Sequence, residues 1–209
     1  MNNYEDLPSV KAEEKEIMNR VSVTRYFKMI FAATIVGLVA SCLGEIFEFF
    51  ILVDIVTYFV VARAMIGIGV IEKKQMSRYA VAGISYMISG VVIVVEDMMG
   101  IEIALPMTIV LAVVSFVGSF SEGQAYTETV CRWDEVMAEK WQKYLKLYCI
   151  GMVGSIVVLI FTALGATVIH PLGTLIYAGV MLAPVILLLV ASIMRLVYLF
   201  KTIKCLKKQ

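Results

Sequence analysis

Long uncharged runs alternate with short charged segments along the chain. A helix that spans a bilayer needs about 20 mostly apolar residues, and several of these runs approach that length. The longest run, Leu147–Met194, has forty-eight residues, which is enough for two helices. A turn at 170–173 divides it, because proline cannot continue a helix and glycine tolerates a positive φ. The pattern predicts six transmembrane helices, near residues 27–44, 47–71, 79–96, 103–121, 146–169 and 173–199.

The basic residues fall on one side of these predicted helices. Sixteen of the 18 lysines and arginines lie in the N-terminal segment, in two of the connections and in the C-terminal tail, and the three opposite turns have none. Basic residues stay on the cytoplasmic side, so we expect both termini to be cytoplasmic. The chain then divides into a partly amphipathic cytoplasmic arm (1–25), a transmembrane domain (26–200) and a basic cytoplasmic tail (201–209).

A faint repeat groups the predicted helices in pairs. A basic residue followed by tyrosine opens each outward-going helix, with a small residue eleven positions later: Arg25-Tyr26 with Gly37, Arg78-Tyr79 with Gly90, and Lys143-Tyr144 with Ser155. This spacing favours three helical hairpins in one orientation; alternatively, the membrane interface favours a basic–aromatic pair at any helix start. The predicted fold class is an all-α integral membrane protein of three helical hairpins.

An amphipathic cytoplasmic segment is predicted between helices 4 and 5. Its apolar positions at helical spacing include Tyr126, Trp133, Trp141 and Tyr144. Tyrosine and tryptophan prefer the interfacial depth of a membrane, so we predict that these four anchor a helix in the inner headgroup region. The alternatives are a cytoplasmic extension of the fifth helix and a surface that contacts a partner.

Composition supports a membrane protein and limits its partners. The chain is 61% hydrophobic and 17% charged, with a mean hydropathy of +0.90, whereas soluble domains are about 45–50% apolar and about 25% charged. A net charge of +1 gives no reason to expect a nucleic-acid partner. The first 25 residues are too polar for a cleavable signal peptide. We expect a multi-pass protein of the plasma membrane, specifically of a bacterial inner membrane.

Sequence motifs of common enzymes do not occur. The chain has one histidine, His170, and contains no GxSxG, HExxH, CxxC or Walker sequence, which are the usual signatures of hydrolytic, metal, redox and nucleotide chemistry. We therefore expect no enzymatic activity and no cofactor.

Acidic residues and the histidine gather in the outer half of the predicted bundle. Oxygen ligands suit hard cations, and an imidazole extends the range to transition metals, so a cation-binding mouth is one interpretation. Two other interpretations remain. In the first, the acids simply follow from the topology, because excluding basic residues from the outer turns leaves only acids as charged residues there. In the second, the acids attract a basic partner. The candidate cation ligands are Glu45, Glu48, Asp54, Glu96, Asp97, Glu102 and His170.

Two charges fall inside the second predicted helix. If that helix starts at Ile46, Asp54 lies about 12 Å below its outer end; if it starts at Ile55, Asp54 is interfacial. Arg63 lies about 12 Å from the inner end and on the opposite face from Asp54. Because no acidic residue is predicted in the inner half of any helix, we expect Arg63 to be held by something other than an acid of this chain. The alternatives are carbonyls and hydroxyls of neighbouring helices, a lipid phosphate, an anionic ligand, or a carboxylate on a partner. Arg195 is expected to snorkel to the interface.

Three functions fit these features. The first is a non-enzymatic membrane subunit that acts through partner binding or oligomerisation, embedded in the lipid bilayer with copies of itself or other membrane subunits. The second is a small cation transporter or channel subunit with the acidic mouth described above. The third is a solute-binding membrane subunit of a multi-subunit transporter.

The predicted topology can be tested with single cysteines at Ser9, Gln75, Gly100 and Gln209. A membrane-impermeant thiol reagent applied to intact cells is expected to label only the cysteine at position 100, because the basic clusters hold the other three positions inside. Labelling at position 75 from outside would contradict the topology.

Overall fold

Six long helices make up almost all of the structure, a computed structural model that describes residues 8–44, 46–47, 49–101, 103–163 and 171–208. Within this part of the chain six helices are long and apolar enough to cross a membrane, and there is no strand. The number of helices is as predicted. Their bounds are Pro8–Gly44 (α1), Phe49–Ile71 (α2), Met76–Ile93 (α3), Leu105–Cys131 (α4), Glu135–Ala163 (α5) and Pro171–Lys208 (α6).

Short turns with recognisable local chemistry connect the helices. A 3-10 turn, Lys73–Gln75, joins α2 to α3, and α3 ends in a π-helical turn, Val94–Met98. Gly100 then takes a φ of +63°, a conformation that glycine adopts without steric cost. Asp134 caps α5 by accepting a 2.9 Å hydrogen bond from the backbone N–H of Met137. That bond holds the pKa of the Asp134 carboxyl below its usual range.

The six helices pack in a closed ring in chain order. Each helix contacts the next one along the chain, and α6 closes the ring against α1. Because α2 also packs on α3, and α4 on α5, the ring does not single out three hairpins, and that grouping stays a prediction. We call the end with the α2–α3 and α4–α5 turns the basic end, and the opposite end the acidic end.

Small residues let neighbouring helices approach closely. A Cβ at Gly118 of α4 would collide with Ser85 of α3, and Ser85 donates a 3.1 Å hydrogen bond to the carbonyl of Val114 across the same contact. A Cβ at Gly37 of α1 would lie 2.7 Å from the Thr57 hydroxyl of α2. Close approach through small side chains is the usual way helices associate in lipid, and here it closes the ring within one chain.

An aromatic core fills the ring toward the basic end. The ring of Tyr126 lies 5.0 Å from that of Phe27 on α1 and 4.8 Å from that of Trp141 on α5. Trp141 donates a 3.1 Å hydrogen bond from Nε1 to Thr202 on α6, and Tyr144 packs edge-on against Trp141. Four helices therefore meet around a few large rings.

The predicted role of these aromatic residues as interfacial anchors is wrong for three of the four. Tyr126, Trp141 and Tyr144 are buried between helices, and only Trp133 is partly exposed. Their periodicity reflects a face of α4 and a face of α5 that both point into the ring. The prediction of a separate amphipathic segment between helices 4 and 5 is also wrong, because these residues belong to faces of α4 and α5 that pack inside the ring. Residues 122–131 continue α4, and α5 begins at Glu135. The alternative of an extended fifth helix therefore holds only for the part of the segment from Glu135 onward.

Replacing Trp141 with alanine should destabilise the protein strongly. Removing a fully buried tryptophan leaves a cavity and an unpaired Thr202 hydroxyl, and such changes cost about 3–5 kcal/mol. Val136→Ala, at an exposed position of the same helix, is the matched control and should change stability by less than about 0.5 kcal/mol. Unfolding in detergent micelles measures both, and equal stability of the two variants would contradict the buried position of Trp141.

Candidate functional site

A buried ion pair links α4 and α6 in the middle of the ring. Arg195 donates hydrogen bonds to Glu122 Oε1 from Nε at 3.0 Å and from Nη2 at 2.7 Å. Nη2 also donates to the Tyr86 hydroxyl at 2.7 Å, and that hydroxyl donates to Glu122 Oε2 at 2.9 Å. The side chains of Glu122 and Arg195 are 1% and 15% exposed. We call these three residues the buried triad.

The triad overturns two predictions. The first was that no acidic residue lies in the inner half of a helix, but Glu122 lies about 13 Å from the end of α4. The second was that Arg195 snorkels to the interface, but its guanidinium is held inside the ring. A charge inside an apolar bundle is costly unless it is paired, and the pairing here leaves the triad neutral as a unit.

A cavity of about 310 Å³ lies between the helices, from the triad toward the acidic end, and is partly open because Leu38, Ser41 and Ser192 on its wall are exposed. Residues from α1, α2, α3 and α6 form its wall. Polar groups are unusually frequent there for the inside of an apolar bundle. The polar side chains that line it are Thr34, Ser41, Asp54, Thr57, Tyr58, Tyr86, Ser192 and Arg195.

Asp54 is the only acidic residue on the described wall of this cavity. Its Oδ2 accepts a 2.8 Å hydrogen bond from Ser41 on α1. The Thr57 hydroxyl donates to the Asp54 carbonyl at 2.6 Å and lies 3.4 Å from Oδ1. Among the described residues, no lysine or arginine pairs with this carboxylate. Asp54 therefore has hydroxyl partners but no counter-charge.

The position of Asp54 on α2 decides between the two predicted helix starts. Because α2 begins at Phe49, Asp54 lies about 8 Å inside the helix. The alternative start of α2 at Ile55 is wrong, and Asp54 lies closer to the helix end than the start at Ile46 would place it.

A second cavity, of about 330 Å³, continues toward the acidic end, and we call it the vestibule. Ser41 and Asp54 line both cavities. Asp97, in the π-helical turn after α3, lines the vestibule only. Two of the predicted cation ligands thus line these neighbouring cavities, Asp54 in both of them and Asp97 in the vestibule alone.

Only one of the remaining predicted cation ligands lies in the part of the chain that the structure describes. Glu96 is exposed beside Asp97, and Glu45, Glu48, Glu102 and His170 lie outside the described residues. Within the described part of the chain, no three histidine, cysteine, aspartate or glutamate side chains are grouped closely enough to hold a metal ion. Among the described residues, the two cavities are therefore lined by two carboxylates, Asp54 and Asp97, together with hydroxyls.

Arg63 lies on the outer surface of α2. It is exposed, and none of the acidic side chains that the structure describes pairs with it. Leu52, Val56 and Ile66 are exposed on the same helix. As expected from the spacing of nine residues, Arg63 points away from the cavity that Asp54 lines.

Further ion pairs join the helices at the basic end. Arg132, at the end of α4, places Nη2 2.8 Å from Oε2 of Glu72, at the end of α2. Arg78 and Gln75 both donate to Glu128. Burial raises the pKa of the Glu72 carboxyl, and Arg132 opposes that rise. The contact with Arg78 and Gln75 gives Glu128 a partner in the part of α4 that extends past its predicted end at 121.

Sequence reasoning identified Asp54 but missed its surroundings. Tyr86, Glu122 and Arg195 are 36 to 109 residues apart along the chain, so no local pattern relates them. One usable signal was present: a carboxylate at the end of one apolar run and an arginine inside another are each costly alone. Pairing the two would have predicted the α4–α6 contact.

Comparison of the chain with models of known protein families, with curated proteins and with solved structures found no match. Function must therefore be argued from the geometry of the chain itself.

Breaking the triad should destabilise the protein more than breaking an exposed pair. Glu122→Gln leaves the Arg195 charge buried without a counter-charge and is expected to cost about 3–5 kcal/mol. Glu128→Gln, in the exposed pair with Arg78, is the matched control and should cost no more than about 1 kcal/mol.

A double variant separates charge from shape in the same experiment. Glu122→Gln combined with Arg195→Met removes both charges, so its loss of unfolding free energy should be smaller than the sum of the two single losses. Simple additivity would contradict the pairing of Glu122 with Arg195.

Proposed function

We propose that the protein is a non-enzymatic multi-pass membrane protein that binds a small monovalent cation in the cavity beside Asp54, as a cation transporter or channel subunit does. One observation carries the proposal: Asp54 lines a cavity inside the helix bundle and has hydroxyl partners but no basic partner among the described residues. A carboxylate placed there is stabilised by a bound cation or by a proton.

The charge of the wall favours a cation over an anion. Arg195 lines the same cavity, but Glu122 neutralises it. Asp54 therefore leaves the described wall with a net charge of −1, which one monovalent cation balances. The hydroxyls of Ser41 and Thr57 lie against the carboxylate and offer further oxygen ligands of the kind that hard cations take.

The volume and the aromatic wall admit an organic cation as well as a metal ion. About 310 Å³ is near the lower end of small-molecule sites, which run from about 300 to about 1,000 Å³. Tyr58 and Tyr86 both line the cavity, and aromatic faces attract ammonium groups. This part of the proposal also covers a solute-binding subunit of a multi-subunit transporter whose solute is a small ammonium compound.

The two cavities suggest a route of entry. Asp97 raises the local concentration of cations at the vestibule, as acidic rings do at the mouths of cation channels. Asp54 lies between the vestibule and the inner cavity. The triad and the aromatic core close the inner cavity toward the basic end, so passage through the protein would require those contacts to open.

The proposal includes location and the lack of catalysis. Both termini are proposed to be cytoplasmic, in a bacterial inner membrane, because the basic residues lie at one end of the helices. Neither cysteine nor histidine occurs among the described residues on the wall of the inner cavity, which supports binding rather than nucleophilic chemistry.

A second function, a membrane subunit that binds a partner, is favoured by a separate observation. Arg63 is exposed on the outer surface of α2, in the middle of a span that is otherwise apolar on that face. A charge there is costly in lipid, and a protein partner would relieve that cost. This role and cation binding are compatible, because Arg63 and Asp54 lie on opposite faces of α2.

Monovalent cations should raise the melting temperature of the purified protein through Asp54. The test adds sodium, potassium, ammonium or tetramethylammonium chloride at constant ionic strength, balanced with N-methylglucamine chloride. A cation that binds only the folded state stabilises it by about 2.7 kcal/mol at one hundred times its Kd. At least one of the four cations should produce a saturable rise.

Variants identify the site behind that rise. Asp54→Asn should abolish it, because the amide removes the only acidic group on the described cavity wall. Glu96→Gln, at the exposed acid beside the vestibule, is the control and should keep it. An equal rise in Asp54→Asn would refute the site, as would no rise with any of the four cations.

A further inference from the structure

The outer face of α2 presents one positive charge in an apolar stripe. The exposed residues recur at spacings of three and four, so they lie along one side of the helix. Arg63 is the only charged residue among them. The large apolar members of the stripe are Leu52, Val56, Phe59, Ile66 and Val70.

The depth of Arg63 makes its charge costly on a surface exposed to lipid. It lies fourteen residues after Phe49 and eight before Ile71, which is about 21 Å and about 12 Å from the two ends of α2. Snorkelling covers part of the shorter distance. The other arginine within an apolar run, Arg195, is paired with a carboxylate of the same chain, because its Nη2 lies 2.7 Å from Oε1 of Glu122.

We propose that this face of α2 docks a transmembrane helix of a different protein that carries an aspartate or glutamate at the level of Arg63. The inference rests on the proposed subunit role and names the chemistry of the partner. Opposite charges attract strongly where water is excluded, and the apolar stripe on both sides of Arg63 would pack against the partner helix.

A second copy of the chain does not supply this carboxylate. In the described part of the sequence, Asp54 and Glu122 line or approach the interior of the ring, and the other acidic residues lie near helix ends. A symmetric dimer through α2 would also bring two Arg63 side chains together. The partner therefore has to be a different chain.

The test uses synthetic transmembrane peptides as probes. Three leucine–alanine peptides that differ at one central position (Asp, Asn or Leu) are labelled with a fluorescent donor. They are mixed with acceptor-labelled full-length protein in phosphatidylcholine vesicles, and energy transfer is measured against the peptide-to-lipid ratio. The Asp peptide should associate at least about tenfold more tightly than the Leu peptide.

Two variants show whether that preference depends on Arg63. Arg63→Leu should reduce association of the Asp peptide to the level of the Leu peptide. Arg25→Leu, at an exposed arginine of α1, is the matched control and should leave the tenfold preference intact.

The remaining outcomes overturn the inference in distinguishable ways. If all three peptides bind equally and Arg63→Leu changes nothing, the face docks helices by apolar packing, so the carboxylate partner is wrong while the subunit role stands. If none of the peptides binds, α2 has no docking face, both the partner and the subunit role through Arg63 are wrong, and Arg63 interacts with lipid phosphate.

Discussion

Opposite charges inside an apolar helix bundle have to meet, because each one alone carries a desolvation cost of several kcal/mol. Glu122 and Arg195 come from helices that are distant in sequence, and Tyr86 bonds to both of them. Their pairing fixes α3, α4 and α6 relative to one another. It also removes the Arg195 charge from the cavity wall, so that Asp54 alone determines the charge that a ligand meets there.

The same constraint explains which helix ends could be predicted from the sequence. At the acidic end the turns are short and lack basic residues, and the predicted end of α1 at 44 matches the structure. At the basic end α4 continues ten residues past its predicted end at 121, to Cys131. A prediction based on uncharged runs ends each helix at the first charged residue. The helix itself continues where another helix supplies the counter-charge, as Arg195 of α6 does for Glu122 of α4.

The candidate site was predictable in its central residue only. Asp54 could be singled out because a carboxylate within an apolar run is costly, and that cost is visible in a single segment. The other side chains of the site come from three different helices, which the closed ring places around the cavity that Asp54 lines. They are Ser41 of α1, Tyr86 of α3 and Arg195 of α6. The aromatic periodicity of α4 and α5 was visible too. A periodic pattern identifies a face without saying whether lipid or protein covers it, and Tyr126 and Trp141 are covered by protein.

Helix α2 carries two charges within its apolar span, Asp54 and Arg63, that no oppositely charged side chain in the described part of the chain pairs with. Asp54 and Arg63 are nine residues apart, which at 100° per residue places them on opposite faces of α2 and about 13 Å apart along it. The proposed cation beside Asp54 would act on the inner face of α2, and the proposed partner carboxylate beside Arg63 would act on the outer face of the same helix. If the two states of a transport cycle differ in the position of α2, each ligand favours one of them. Each would then change the affinity of the other by the same factor, because coupling between binding sites is reciprocal.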